Sequence, residues 1–150
     1  MTRIKVIAPI DGIAVDLATV PDEVFAQKMA GDGVAIEPTG SVALAPISGD
    51  LVKLFPGGHA FGITTEGDVE LIVHIGLDTI ELHGTGFENI ATEGQHVEVG
   101  TPIVRFQRSI IEGQGKLVIS PIVSSGGGTV TEHATGPVKA GKDVLFVIEI

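Results

Sequence analysis

Two histidines stand out by their surroundings. His74 interrupts the apolar run VELIVHIGLDT (residues 69–79), where another Val or Ile would pack at lower cost, and His59 follows two glycines in FPGGHAF (residues 55–61). The chain has no cysteine, which removes disulfides, thiolate nucleophiles and Cys-ligated metals from its chemistry. Its serines lie mostly in turns outside any nucleophile-elbow pattern, and no Gly-rich stretch ends in the Gly-Lys-Ser/Thr that holds nucleotide phosphates. Two chemistries remain for an imidazole pair. A neutral imidazole is a nucleophile toward phosphorus near pH 7, and a neighbouring imidazole can donate a hydrogen bond to the arriving phosphoryl oxygens. Alternatively, two histidines with the acid at Asp78 offer ligands to a zinc ion that activates water. His83, His96 and His133 occupy polar turn contexts and read as solvated.

The element that must carry His74 is a strand. Alternation places Val69, Leu71, Val73 and Ile75 on one face, which is expected to be the core, and Glu70, Ile72, His74 and Gly76 on the other. His74 therefore looks outward. Beside it, Ile72 is expected to be exposed as part of a protein-docking patch, and Gly76 is expected to leave open space next to the ring. His59 follows Gly57 and Gly58, whose backbone freedom allows a close approach to another group.

Composition sets the wider frame. A chain of 150 residues fits one domain, 1–150, with a core of its own. The net charge of −10, with Lys and Arg scattered, gives no basic footprint for nucleic acid. No run approaches the roughly 20 apolar residues of a membrane span, and MTRIKVIAPIDG lacks the apolar core of a signal peptide, so a soluble, cytoplasmic protein is expected. Abundant Val, Ile, Thr and Gly with only six aromatic residues, all Phe, favour an all-β class.

Short apolar or alternating runs predict strands at 4–7, 34–37, 41–44, 50–55, 70–75, 95–98, 102–106, 116–119, 128–131 and 144–150. Residues 20–31, opened by Pro and acids and closed by Gly, predict a helix of two turns, and 87–90 a second, single turn. The chain also repeats itself. IAPIDG (7–12) returns as LAPISG (44–49), and Val97-x-x-Gly100-x-x-Ile103 returns as Val138-x-x-Gly141-x-x-Val144. The expected architecture is an antiparallel β-sandwich or barrel built from two related halves, with one or two very short helices.

Several motifs, in order along nearly the whole chain, resemble a known family: PDEVFA (21–26), GDGVAI with Pro38 (31–38), Ala45-Pro46 with Gly49, GHAF (58–61), ELIVHIGLDT (70–79), Gly86-Phe87 and EGQHV (93–97). They resemble the glucose-class EIIA component of the bacterial sugar phosphotransferase system, whose fold is a duplicated hybrid motif. The resemblance implies a phosphocarrier with no required cofactor. His74 would take a phosphoryl group on Nε2 from the phosphohistidine of HPr and pass it to a cysteine of the EIIB domain of a sugar permease. His59 would lie beside it and serve donation. A carbonyl near Gly76 would hold Nδ1–H of His74, and Val34, Phe55 and Ile72 would form an apolar docking ring around the pair. Zinc bridging His59 and His74 to a partner's carboxylate fits by ligand type. The chain departs from some relatives at Gly57, where they carry a Thr whose hydroxyl helps orient the pair.

Two other readings fit less of the sequence. His74 and Asp78 have the His-x-x-x-Asp spacing of lysostaphin-type zinc endopeptidases, but no two histidines stand two apart to complete that site. A lipoyl- or biotinyl-type carrier needs a lysine at a hairpin tip, and Lys53, Lys116, Lys139 and Lys142 do not sit in one.

Overall fold

The alternating runs become strands because β-branched residues pack well on a pleated surface with one face covered. A computed structural model describes residues 2–150. In chain order the elements are β1 (Arg3–Ile7), β2 (Gly12–Asp16), α1 (Glu23–Ala26), β3 (Asp32–Pro38), β4 (Val42–Leu44), β5 (Gly49–Leu54), β6 (Ala60–Thr64) and β7 (Glu70–His74). There follow β8 (Phe87–Asn89), β9 (His96–Val97), β10 (Pro102–Phe106), α2 (Arg108–Gly113), β11 (Ser120–Gly126), β12 (Thr129–Thr131), β13 (Gly136–Val138) and β14 (Val144–Glu149). The strands pair antiparallel in three open sheets, ordered β13-β2-β3-β11-β7-β6-β5-β9, β1-β14-β12 and β4-β10-β8. The main core lies between the large sheet and the two small ones, with Phe61, Phe106 and Phe146 among its largest buried side chains. The sandwich expectation holds and the barrel does not, because the sheets do not close.

The strand orders reveal the duplication. The large sheet reads the same from either end if β13 is matched with β9, β2 with β5, β3 with β6 and β11 with β7. The small sheets then match β1 with β4, β14 with β10 and β12 with β8. The repeated Ala-Pro-x-x-Gly segments clasp each other. Ile7 N–H donates to the Pro46 carbonyl at 2.9 Å, and Leu44 N–H donates to the Pro9 carbonyl at 2.8 Å. Gly12 lies opposite Val138 and Gly49 opposite Val97. A Cβ at Gly12 would sit 2.2 Å from the Glu37 carbonyl oxygen, and one at Gly49 would sit 2.2 Å from that of Thr64. Each glycine is therefore required by the close approach of a neighbouring strand.

Three local expectations need correction. Residues 116–119 do not form a strand; only Leu117 makes an isolated bridge, to Leu77, and β11 starts at Ser120. In that segment the Leu117 and Val118 carbonyls accept from Leu77 N–H and the Ser120 hydroxyl, so they serve the turn after His74 rather than a ladder. Residues 87–89 form β8, paired with β10, rather than a helical turn. The helix expected over 20–31 is confined to Glu23–Ala26: Asp22 caps it by accepting from Val24 N–H at 2.9 Å, and Lys28, at φ 60°, ends it. So short a helix is held by its tertiary contacts, since one turn does not repay the cost of nucleation. Strands β2, β6, β11 and β13 and helix α2 were not anticipated from the sequence.

Candidate functional site

Three adjacent strands build a groove around the two histidines. Ala60 and Gly62 of β6 lie opposite His74 and Ile72 of β7, while Gly62 also lies opposite Lys53 of β5. Small residues on the middle strand thus form a floor between bulkier walls. The resulting groove encloses about 320 Å³ and is lined chiefly by Phe55, His59, Ile72, His74, Ile80, Lys53 and Glu70. The register of β5 shifts between Leu51 and Lys53, leaving both Val52 and Lys53 exposed. Such a bulge re-aims side chains, here bringing Lys53 to the groove.

His74 ends β7, half-buried, with Nδ1 2.7 Å from the Gly76 carbonyl oxygen. A carbonyl can only accept, so Nδ1 carries the proton and Nε2 keeps its lone pair. Gly76 does not leave open space, as the sequence suggested. Its φ is +75°, and an added Cβ would lie 2.6 Å from Thr79 Cγ2 and 2.7 Å from the Leu117 carbonyl oxygen. Two buried hydroxyls brace this turn: Ser120 Oγ accepts from Gly76 N–H at 3.2 Å, and Thr79 Oγ1 donates to the Ile75 carbonyl at 2.6 Å.

His59 reaches the same place from the turn between β5 and β6. Its ring centroid is 5.6 Å from that of His74 and 4.9 Å from that of Phe55. The side chain is 5% exposed, and Nδ1 is buried without a hydrogen-bond partner among the described residues. A Cβ at Gly57 would be 3.4 Å from that Nδ1, so this is the position at which a side-chain hydroxyl would meet the ring.

Burial lowers the proton affinity of His74, opposed by its bond to the Gly76 carbonyl and by the charges of Asp22 and Asp78. Burial also lowers that of His59, with a further lowering from His74. Both directions leave the rings neutral at pH 7, the state in which an imidazole nitrogen can attack.

The structure brings together His59, His74, Gly76, Phe55 and Ile72. Asp78 contributes through charge; it is exposed, at φ 58°. Val34 is a correction: it is 1% exposed within the main core and presents nothing to a partner. Strand β3 is covered on both faces, with Val34 and Ile36 toward the main core and Ala35 toward a second apolar cluster on the opposite side. Sequence reasoning missed Phe25, whose ring centroid is 5.4 Å from that of His74, and Ile80, 59% exposed at the groove. The signal for Phe25 was its place in the helical segment expected over residues 20–31 of a β-rich chain.

His83, His96 and His133 are exposed, as expected. No group of three or more His, Asp or Glu side chains with metal-site geometry occurs among the described residues. His59 and His74 can thus offer two ligands and need a partner to complete a tetrahedral zinc site. The endopeptidase reading of His74 and Asp78 lacks its third protein ligand for the same reason. In a second cleft, lined by Asp16, Lys28, Asp32 and His133, Asp32 is already engaged: Lys28 and His133 lie 3.5 and 3.1 Å from its Oδ1.

Comparison with known proteins gives a consistent result. A family model described as phosphoenolpyruvate-dependent sugar phosphotransferase system, EIIA 1, matches residues 4–128. The chain is 40% identical over 149 residues to the PTS system glucose-specific EIIA component of Buchnera aphidicola subsp. Baizongia pistaciae, covering 97% of this chain and 88% of that one. The component of the same name from Staphylococcus aureus is 46% identical over 120 residues, covering 80% and 72%. Among solved structures, glucose permease IIA from Mycoplasma capricolum superposes with a TM-score of 0.92 at 41% identity, covering 99% of this chain and 97% of the other.

Proposed function

The chain belongs to the EIIA family of the phosphoenolpyruvate-dependent sugar phosphotransferase system, and on that premise we propose that residues 1–150 act as one cytoplasmic phosphocarrier domain. His74 accepts a phosphoryl group from phospho-HPr and delivers it to a cysteine of an EIIB domain. The observation that carries this reading is the hydrogen bond from His74 Nδ1–H to the Gly76 carbonyl, which leaves Nε2 as the attacking atom.

In the loading step the Nε2 lone pair forms a bond to phosphorus in line with the breaking P–N bond of the donor, whose electron pair returns to the donor imidazole. Delivery reverses the roles. The cysteine thiolate attacks, the P–Nε2 bond breaks, and its electron pair returns to His74. Nδ1–H stays on the Gly76 carbonyl throughout. His59 donates a hydrogen bond to the phosphoryl oxygens during delivery, and Phe55, Ile72, Phe25 and Ile80 exclude water from the transfer between docked proteins. Zinc, when a partner carboxylate completes its ligand set, would bridge the interface through His59 and His74.

Incubation with phospho-HPr should place an acid-labile, base-stable phosphate on the protein, and His74→Ala should abolish it. Full labelling of His74→Ala would overturn the assignment. His59→Gln should still load but deliver to EIIB about a hundredfold more slowly, the cost typical of losing one preorganised donor; undiminished delivery would reduce His59 to a turn residue.

A further inference from the structure

We infer that Asn89 of β8 is a positioning residue for His59. The turn that carries His59 has little stiffness of its own, because Gly57 and Gly58 adjoin and Gly58 sits at φ +77°. Its backbone bonds close the turn locally: Gly58 N–H donates to the Phe55 carbonyl at 2.8 Å, and Phe55 N–H donates to that of Ala60 at 3.2 Å. Asn89 adds a tie from a different sheet. Its Nδ2 donates to the Phe55 carbonyl at 3.2 Å and approaches that of Pro56 at 3.5 Å. Two carbonyl neighbours require the amide nitrogen, not the oxygen, to face the turn.

The same side chain limits the turn sterically. A Cβ at Gly58 would lie 2.9 Å from Asn89 Oδ1 and 2.9 Å from Phe87 Cβ. Phe87 and Asn89 are two apart on β8 and so share a face. Together they crowd the glycine just before His59. Strand β8 is itself fixed by pairing with β10, Asn89 opposite Val104. The tie therefore joins the Phe55 backbone, whose ring packs on His59, to a rigid element outside the large sheet. Asn89 touches neither reacting atom and acts only through the turn.

This inference rests on the phosphocarrier reading, and its test separates the two. Asn89→Ala removes the donor, and Asn89→Asp turns a carboxylate toward two carbonyl oxygens. Delivery to EIIB should slow about fivefold in the first and more in the second, through kcat rather than KM, with loading from phospho-HPr within about twofold of the parent. The His59 imidazole resonances should shift in both variants while those of His133 stay in place. Asn89 is the sole asparagine, so [15N]Asn labelling isolates its side-chain amide, which should show slowed hydrogen exchange in the parent. Unmoved His59 resonances, or loading and delivery slowed equally, would overturn the inference. A parent protein that takes no phosphate would sink the phosphocarrier reading, while the His59 resonances would still decide the role of Asn89.

Discussion

The two copies of the fold meet at the seam between β7 and β11, and the side chain that matters most there differs between them. In one copy Leu71 pairs with Ile63 and His74 with Ala60; in the other Ser120 pairs with Ile36 and Val123 with Gly33. His74 and Val123 are thus the same position. Val123 is fully buried in the second apolar cluster, beneath Leu17 and Val20 of the connection between β2 and β3. That connection runs over residues 17–31 and folds back on its own copy's outer face, whereas its counterpart, residues 55–59, is a tight turn that leaves His74 open to the groove. His59, just before β6, likewise corresponds to Asp32 at the start of β3, which is occupied by Lys28 and His133. One connection covers and stabilises; the other opens and presents. The long connection also serves the neighbouring copy, since Phe25 and Asp22 act on His74.

The sharpest way to break this comparison is to exchange the matched residues. Val123→His should cost about 3–5 kcal/mol in denaturant unfolding, because it buries an imidazole without a built partner. The new imidazole should take no phosphate, and His74 should still load. His74→Val should remain folded with stability at or above the parent's, and a marked loss would show that His74 supports the fold as well as the chemistry. The symmetric part of the comparison predicts equality instead: Gly12→Ala and Gly49→Ala should each cost about 2–3 kcal/mol, since each Cβ meets a strand carbonyl at the same distance. A clear inequality would mean that one copy relaxes where the other cannot.

The smallest effect concerns the cover that the long connection lends to His74. Burial holds the His74 proton affinity below the ordinary 6.5. The neutral ring therefore contributes stability fully above that pH, and the contribution is lost as pH falls below 6.5 through the folded value. Phe25→Ala, costing about 1–2 kcal/mol for a half-buried ring, should raise the His74 titration midpoint toward 6.5 in an NMR titration. An unmoved midpoint would assign the desolvation to the groove walls alone.

Much of this was legible in residue order. Alternation placed His74 outward and Val69, Leu71, Val73 and Ile75 inward, and all four are buried. The Ala-Pro-x-x-Gly repeat announced the duplication that the strand orders display. Val34 was placed in the docking ring with the resemblance, and alternation offers no check on it, because two faces are distinguished only when one is solvated and β3 has both covered. Residue order does not single out Ser120 and Thr79, since nothing local says that their hydroxyls are buried against the turn after His74. Strand β6 escaped notice because Ala60 and Gly62 weaken its pattern, and those small residues are what make room for the groove.

The interleaving of the copies also bears on how the chain assembles. Strands β4 to β10, residues 42–106, form one uninterrupted copy, while the other is divided between β1–β3 and β11–β14. Arg3 pairs with Glu149, so β1 has its ladder partner almost a full chain length away. Loop-closure entropy favours contacts between near neighbours first. The copy bearing both histidines can therefore form most of its pairings from contiguous sequence, and the divided copy closes around it afterwards.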